Sequence, residues 1–171
     1  MTVKDILPFG NSLLRKKCKP VDAISSKTVK LLDDMGETLY AADGRAGLAA
    51  PQIGILRRVV VMDCGEGLIE LINPEIVKRS GEQTGLEACL SFPNYVGTVT
   101  RSQYVKIKSW NRAGKQFYME AEGFLARCIQ HELDHLDGIL YIDHVKDELI
   151  HEVTGRKISV LEAIKLANSG S

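Results

Sequence analysis

His131 and His135 stand four residues apart in the stretch IQHELDHLDG, residues 129–138, with Glu132 after the first histidine and Asp134 before the second. On a helix, residues i and i+4 share a face, about 6 Å apart along the axis. Two imidazoles so placed converge on one metal ion at about 2.0–2.1 Å each. The residue after the first histidine lies to the side of the pair, within reach of a water on the ion. A carboxylate there is a natural general base. The competing reading is a solvated helix face that happens to spell H-E-x-x-H. Phe124, Cys128, His131 and His135 argue against it, since their spacing puts them on one face. On that reading the histidines continue an apolar stripe and point inward, where polar side chains need partners. Asp134 falls on a different face and reads as a support or surface residue.

A metal site needs a third ligand. One group of zinc proteases extends the pattern to H-E-x-x-H-x-x-G-x-x-H. Here Gly138 keeps step, but the last ligand position is Tyr141. Another group uses a downstream glutamate, for which Glu152 and Glu162 qualify by position. Cys128 shares the histidine face but precedes His135 by seven residues, roughly 10 Å along the axis. Ligand atoms of a tetrahedral ion lie only about 3.5–4 Å apart, given the bond lengths. Cys128 therefore reads as a wall residue. Cys89, in GLEACLSFPNY, is distant in sequence and free to approach in space; its plainer reading is a small buried apolar residue.

The elements that must position these residues come next. The chain has 171 residues, enough for one domain, taken as 1–171, with a substantial core. It is 44% hydrophobic and 26% charged, with 22 basic and 22 acidic side chains. That balance speaks against a general nucleic-acid grip. The N-terminal stretch lacks the apolar core of a signal peptide, and no apolar run reaches the roughly 20 residues of a membrane span. The four cysteines form no C-x-x-C pair. Free thiols and a cytoplasmic location are the expectation.

Ser25 or Ser26 can cap a first helix in which Leu32, Met35, Leu39 and Ala42 recur, and Gly44 can end it. RRVVVMD (57–63) is a strand by its β-branched content. LIELINPEI is a second strand expected to stop at Asn73-Pro74. YVKIKSW (104–110) and KQFYMEAEG (115–123) flank an Asn-Arg-Ala-Gly turn and predict a hairpin. GFLARCIQHELDHL is the chemical helix. Ser159 and Glu162 make a capping-box pattern before a short final helix, VLEAIKLAN. Without regular β-α alternation, the fold class is α+β, with antiparallel sheets packed around the central metal-binding helix and a helix at each end.

Three segments together resemble the peptide deformylase family, in its shorter bacterial subclass. GLAAPQ (47–52) is similar to its G-x-G-L-A-A-x-Q, EACLS (87–91) to its E-G-C-L-S, and QHELDH (130–135) to its Q-H-E-x-D-H. Order and spacing agree, and ILPFGNSLLRKKCKPV resembles the usual opening. The resemblance implies hydrolytic removal of the formyl group from N-terminal formyl-methionine of newly synthesised polypeptides. Its implied metal ligands are Cys89, His131 and His135, with a metal-bound hydroxide as attacking group and Glu132 as general base and acid. Gln52 and the Leu90 backbone N–H would stabilise the oxyanion. Gly47, Phe124 and Cys128 would border the methionine pocket, and a Glu87–Arg101 salt bridge would support the Cys89 segment. One divalent ion is implied, Fe(II) in the native enzyme, with zinc, nickel or cobalt able to substitute. The partners implied are formyl-methionyl nascent peptides, met by a monomer without nucleic acid or membrane. Transient ribosome contact through the C-terminal helix is only weakly implied, because that helix is charge-balanced. Two departures stand out: Arg45-Ala46 replace the first glycine's setting, and Ala88 stands where the family has glycine. EACLS has no turn residue before Ser91, so Ala88 should be extended. The rival readings are a zinc endopeptidase using Glu152 or Glu162, and a binding module whose metal is structural.

Overall fold

The computed structural model describes residues 2–169. Helix α1 spans Ser26–Tyr40, with Ser25 as its cap residue; the Ser25 N–H donates to Thr28 Oγ1 at 3.3 Å. The helix stops short of the periodic reading: Ala42 is exposed, and Gly44 adopts φ +81° in the turn beyond. Strands β1 (Gly47–Ala49), β2 (Val59–Met62), β3 (Ile69–Ser80), β6 (Tyr104–Trp110) and β7 (Gln116–Glu122) form one antiparallel sheet in the order β1-β2-β3-β6-β7. The β6–β7 hairpin is the one predicted.

β2 explains how this sheet is covered. Its Val59 and Val61 pack with Leu32, Met35 and Leu39 of α1. Val60 and Met62 pack on the other side with Ala126, Ile129 and Leu133 of α2 (Gly123–Leu136). Successive side chains point to opposite faces, so a strand with helices on both faces is apolar throughout. All four β2 residues are buried.

β3 corrects the expectation that the second strand stops at Asn73-Pro74. The strand runs to Ser80, with a register shift between Ile72 and Glu75 where it pairs with β6. A proline can sit within a strand at such an irregularity, because no ladder hydrogen bond is demanded of it. Asn73 takes φ +51°, and its side chain bonds the Val21 N–H and C=O, both at 2.8 Å.

A second antiparallel sheet has the order β4-β5-β8-β9: Gln83–Cys89, Phe92–Arg101, Glu148–His151 and Lys157–Ser159. The last helix, α3 (Val160–Ser169), is capped by Ser159 Oγ, which accepts from the Glu162 N–H at 3.1 Å. Its Ala163 and Ala167 join Val99, Leu149 and Tyr141 in the core of this second half. α2 therefore lies between two sheets, with antiparallel sheets around a central helix as the α+β reading requires.

That central position crowds the end of α2. Gly138, at φ +75°, follows the helix and lies against the backbone of Arg15, where an added Cβ would stand 2.5 Å from the Arg15 carbonyl oxygen. Gly138→Ala should thus combine left-handed strain with a backbone clash, and lower stability by about 2–4 kcal/mol. Thermal unfolding checks this; an unchanged Tm would show that the 12–15 segment yields freely.

Candidate metal centre

α2 carries buried residues on nearly every side: Ala126, Arg127, Ile129, Gln130, His131, Glu132, Leu133, His135 and Leu136. The expected single apolar stripe is therefore too narrow, and it begins wrongly. Phe124 is 60% exposed and does not extend the buried face. A helix enclosed by two sheets must instead give each inward polar group a partner.

Glu87 is the main partner, and alternation on β4 aims it inward. Glu87 and Cys89 are buried, while Ala88 between them is exposed. Ala88 lies within the strand and outside the positive-φ positions, as an extended segment requires. The two Glu87 oxygens receive four hydrogen bonds. Oε2 accepts from Arg101 Nε at 2.8 Å and Arg127 Nη1 at 2.6 Å; Oε1 accepts from Arg101 Nη2 at 2.8 Å and His131 Nδ1 at 2.8 Å. Burial works against the Glu87 charge, but the bonds from Arg101 and His131 outweigh it and hold the carboxyl well below the usual carboxylate range. Arg101 also bonds Asp134 Oδ2 at 2.6 Å, which in turn meets His144 Nε2 at 2.9 Å.

With Nδ1 of His131 bound to Glu87, its Nε2 is left for a ligand. Cys89 Sγ lies 3.3 Å from His135 Nε2, and the Cys89, His131 and His135 ligand atoms all fall within 4.8 Å of one another. Among the described residues this is the cluster able to hold an ion. Glu152 and Glu162 lie outside it and are exposed, so the endopeptidase ligand set does not assemble. Burial, first of all, pushes His135 well below the ordinary imidazole range, so it is neutral and its lone pair is available.

Two buried polar atoms have no partner among the described residues, Glu132 Oε1 and His135 Nδ1. Burial pushes the Glu132 carboxyl up to about 7. Its other oxygen packs against Gly47, where a Cβ would come within 2.6 Å of Oε2. Gln52 is buried and fixed at both ends of its amide. Its Oε1 accepts from the Ala49 N–H at 2.9 Å; its Nε2 donates to Ser91 Oγ at 3.0 Å and to Cys89 Sγ at 3.6 Å. Leu90 occupies the turn between β4 and β5, and Cys128 is half-buried one helical turn before Glu132.

Sequence reasoning missed Arg127, Ser91 and Tyr141, whose ring stacks 6.0 Å from that of His131. Arg127 alone left a signal: an arginine four residues before His131, on the side of the helix that must be inside.

An S/N/N donor set with an unpartnered buried carboxylate beside it fits a divalent ion. Three protein ligands leave coordination open for chemistry, unlike a four-ligand structural site. Fold and site together thus define a metal-dependent hydrolase. The model of the polypeptide deformylase family matches residues 3–149. Peptide deformylase 1 of Bacillus subtilis is 52% identical over 147 residues, covering 85% of this chain and 91% of the relative. The peptide deformylase of Thermoanaerobacter pseudethanolicus is 53% identical over 143 residues, 84% of this chain and 89% of the relative. The crystal structure of the Thermotoga maritima peptide deformylase superposes with a TM-score of 0.83 at 42% identity, covering 85% of this chain and 99% of that one. The Ehrlichia chaffeensis peptide deformylase, crystallised with actinonin, covers 100% of this chain and 99% of its own, with a TM-score of 0.87 at 30% identity. The chain belongs to the polypeptide deformylase family. It is a metal-dependent hydrolase that removes the formyl group from nascent polypeptides.

The Glu87 cluster yields a quantitative expectation. Removing one member of a buried ion pair leaves an uncompensated charge and costs about 3–5 kcal/mol. Glu87→Gln, Arg101→Met and the double variant, compared by denaturant unfolding, should show coupling above about 1 kcal/mol. Additive losses would reduce Glu87 and Arg101 to independent charges.

Proposed function

We propose that Cys89, His131 and His135 hold the catalytic ion, Fe(II) in the native enzyme, with zinc, nickel or cobalt able to replace it. A thiolate with two imidazoles suits each of these. When bound, the ion supplies an acidified water and a positive charge facing the formyl oxygen. Glu132 takes the proton of the attacking water and later hands it to the leaving amine. Its burial, with the carboxyl raised to about 7, suits a group that must both accept and return a proton near neutrality.

Gln52 Nε2 and the Leu90 N–H donate to the charge developing on the formyl oxygen. One such donor is typically worth about 3–4 kcal/mol in the barrier. Gln52 is held for this by the Ala49 N–H and Ser91 Oγ, so its amide has little freedom to turn. Glu87, with Arg101, fixes the tautomer and direction of His131. Gly47 leaves room for the Glu132 carboxylate, Cys128 walls the methionine side-chain pocket, and exposed Phe124 borders its mouth.

The substrate is a nascent peptide with N-terminal formyl-methionine. Residues 1–171 act as a single catalytic domain, monomeric and cytoplasmic. No helix among the described residues is long and apolar enough to cross a membrane. α3 contains one acidic and one basic residue, Glu162 and Lys165, so any transient ribosome contact through it does not rest on net charge.

The observation that carries this reading is the unpartnered Glu132 oxygen beside three converging donors. Formate release from a formyl-Met peptide, by protein purified anaerobically with metal analysis, tests it. Glu132→Ala should keep about one ion per chain and lose nearly all turnover, by a factor of about 100 or more. Loss of the ion together with activity would make Glu132 a structural support. In parallel, Cys89→Ala should lose the ion and Cys128→Ala should keep it while changing side-chain preference. The reverse result would overturn the ligand set.

A further inference from the structure

β1 is the outermost strand of its sheet, with β2 on one side and no strand on the other among the described residues. Two bonds show which way its backbone groups point. The Asp63 N–H donates to the Ala46 carbonyl at 2.8 Å, which carries the β1–β2 register one step beyond Gly47–Met62 and turns residue 46 toward β2. The Ala49 N–H donates instead to Gln52 Oε1 at 2.9 Å, away from β2. Directions alternate along such a pair, so the Gly47 N–H and C=O face the free edge. Gly47 also lies against Glu132, and Gln52, just past the far end of β1, reaches Cys89. The free edge thus begins at the metal centre, and Arg45 is the next position along it.

Arg45 is half-buried there. One guanidinium N–H donates to the Thr38 carbonyl near the end of α1. That bond fixes the side chain but employs one of its five donors. Arg45 enters no ion pair among the described residues. Asp63, paired across from Ala46, is engaged elsewhere: its carboxylate accepts from Tyr40 Oη at 2.6 Å and from the Gly65 N–H at 2.9 Å. A fixed cation without a carboxylate therefore stands where the first motif departs from its glycine pattern.

We propose that Arg45 is a specificity-determining residue that selects an acidic side chain at the third position of the substrate. This role rests on the proposed function, in which the formyl group of a formyl-Met peptide lies among Cys89, Gln52 and Glu132. From there the peptide leads away along the free edge of β1, antiparallel to it, as an added strand. Its first residue faces Gly47, its second Ala46 and its third Arg45. Directly opposite residues of an antiparallel pair place their side chains on the same face, where opposite charges attract and like charges repel. The third side chain thus emerges beside Arg45, and the second on the other face. Gly47 and Ala46 offer no charge, so Arg45 is the first ionic group on this edge. Its remaining N–H groups suit a carboxylate, which a guanidinium can hold through parallel bonds.

Formate release by the metal-loaded enzyme tests this with formyl-Met-Ala-Glu-Ser, formyl-Met-Ala-Gln-Ser and formyl-Met-Ala-Lys-Ser. kcat/KM should fall in that order, by at least about fivefold from Glu to Lys, since an attractive cross-strand charge pair is exchanged for a repulsive one. The difference should lie in KM, because the third residue is remote from the reacting bond. It should shrink at about 1 M salt, where charges are screened within about 3 Å. Arg45→Gln keeps a donor for the Thr38 carbonyl and should bring the three peptides within about twofold of one another. Arg45→Glu should reverse their order. The same exchange at the second position, formyl-Met-Glu-Ala-Ser against formyl-Met-Lys-Ala-Ser, should matter less. Equal turnover of the three peptides by the unsubstituted enzyme, or a preference that survives Arg45→Gln, overturns the role of Arg45 and leaves the deformylase reading standing. A stronger effect at the second position overturns the assignment to the third. No formate from any of these peptides would overturn that reading and the role of Arg45 with it.

Discussion

The metal centre depends on one buried carboxylate. Glu87 takes hydrogen bonds from Arg101, Arg127 and His131 at 2.6–2.8 Å. These groups come from β4, β5 and α2, so a single anion ties the strand of Cys89 to the helix of the histidines. A lone buried charge would be costly, and a pair breaks even only with good geometry and its remaining lone pairs satisfied. Here both oxygens are satisfied, and the second guanidinium is offset through Asp134, which bonds Arg101 from the outer side. The same arrangement leaves His131 one free direction, toward Cys89 and His135.

The enclosure of α2 by two sheets has a second consequence. Gln130 solves its burial conventionally, bonding the Ser102 N–H and C=O at 3.0 and 2.9 Å. Glu132 Oε1 and His135 Nδ1 do not. Among the described residues these are the two buried side-chain atoms left without a partner, and they lie at the Cys89, His131 and His135 cluster, where the proposed reading has a water and a substrate handled. Gly47 is part of that arrangement: any side chain there would occupy the space of the Glu132 carboxylate.

Much of this was legible in the sequence, and the gaps have physical causes. Helical spacing identifies α1, α2 and the capped α3, and alternation identifies the β6–β7 hairpin, because these depend on neighbours along the chain. β3 was cut short because Pro74 is a local stop signal, whereas its continuation depends on a register irregularity against β6 and on Asn73 bonding Val21. β4, β5, β8 and β9 escaped notice as a sheet: Gln83–Cys89 mixes exposed and buried positions around a glycine, and its one charged residue, Glu87, is on the buried side. Arg127 could not be assigned without Glu87 in view, since its role is defined by a residue 40 positions away. Phe124 shows the opposite failure, a large apolar side chain placed inward by periodicity and found in solvent.

The N-terminal segment joins the three chemical stretches to one another. Leu7 donates its N–H to the Gln52 carbonyl at 2.8 Å, and Phe9 donates to the Ser91 carbonyl at 2.9 Å. Two residues apart on one extended piece of chain, these bonds hold the Gln52 turn and the Cys89–Ser91 turn at a fixed separation. Gln52 Nε2 then crosses that gap to Ser91 Oγ. Further along, the Cys18 N–H bonds the Leu136 carbonyl at 2.8 Å, and Arg15 bonds both the Gly138 carbonyl and Asp143. The end of α2, just after His135, is therefore anchored to the same segment. Oxyanion donors are effective when their positions are set before charge develops. On the proposed reading, in which Gln52 and the Leu90 N–H are those donors, the setting is supplied by residues 7–18, whose backbone bonds to Gln52, Ser91 and Leu136 tie the three stretches together.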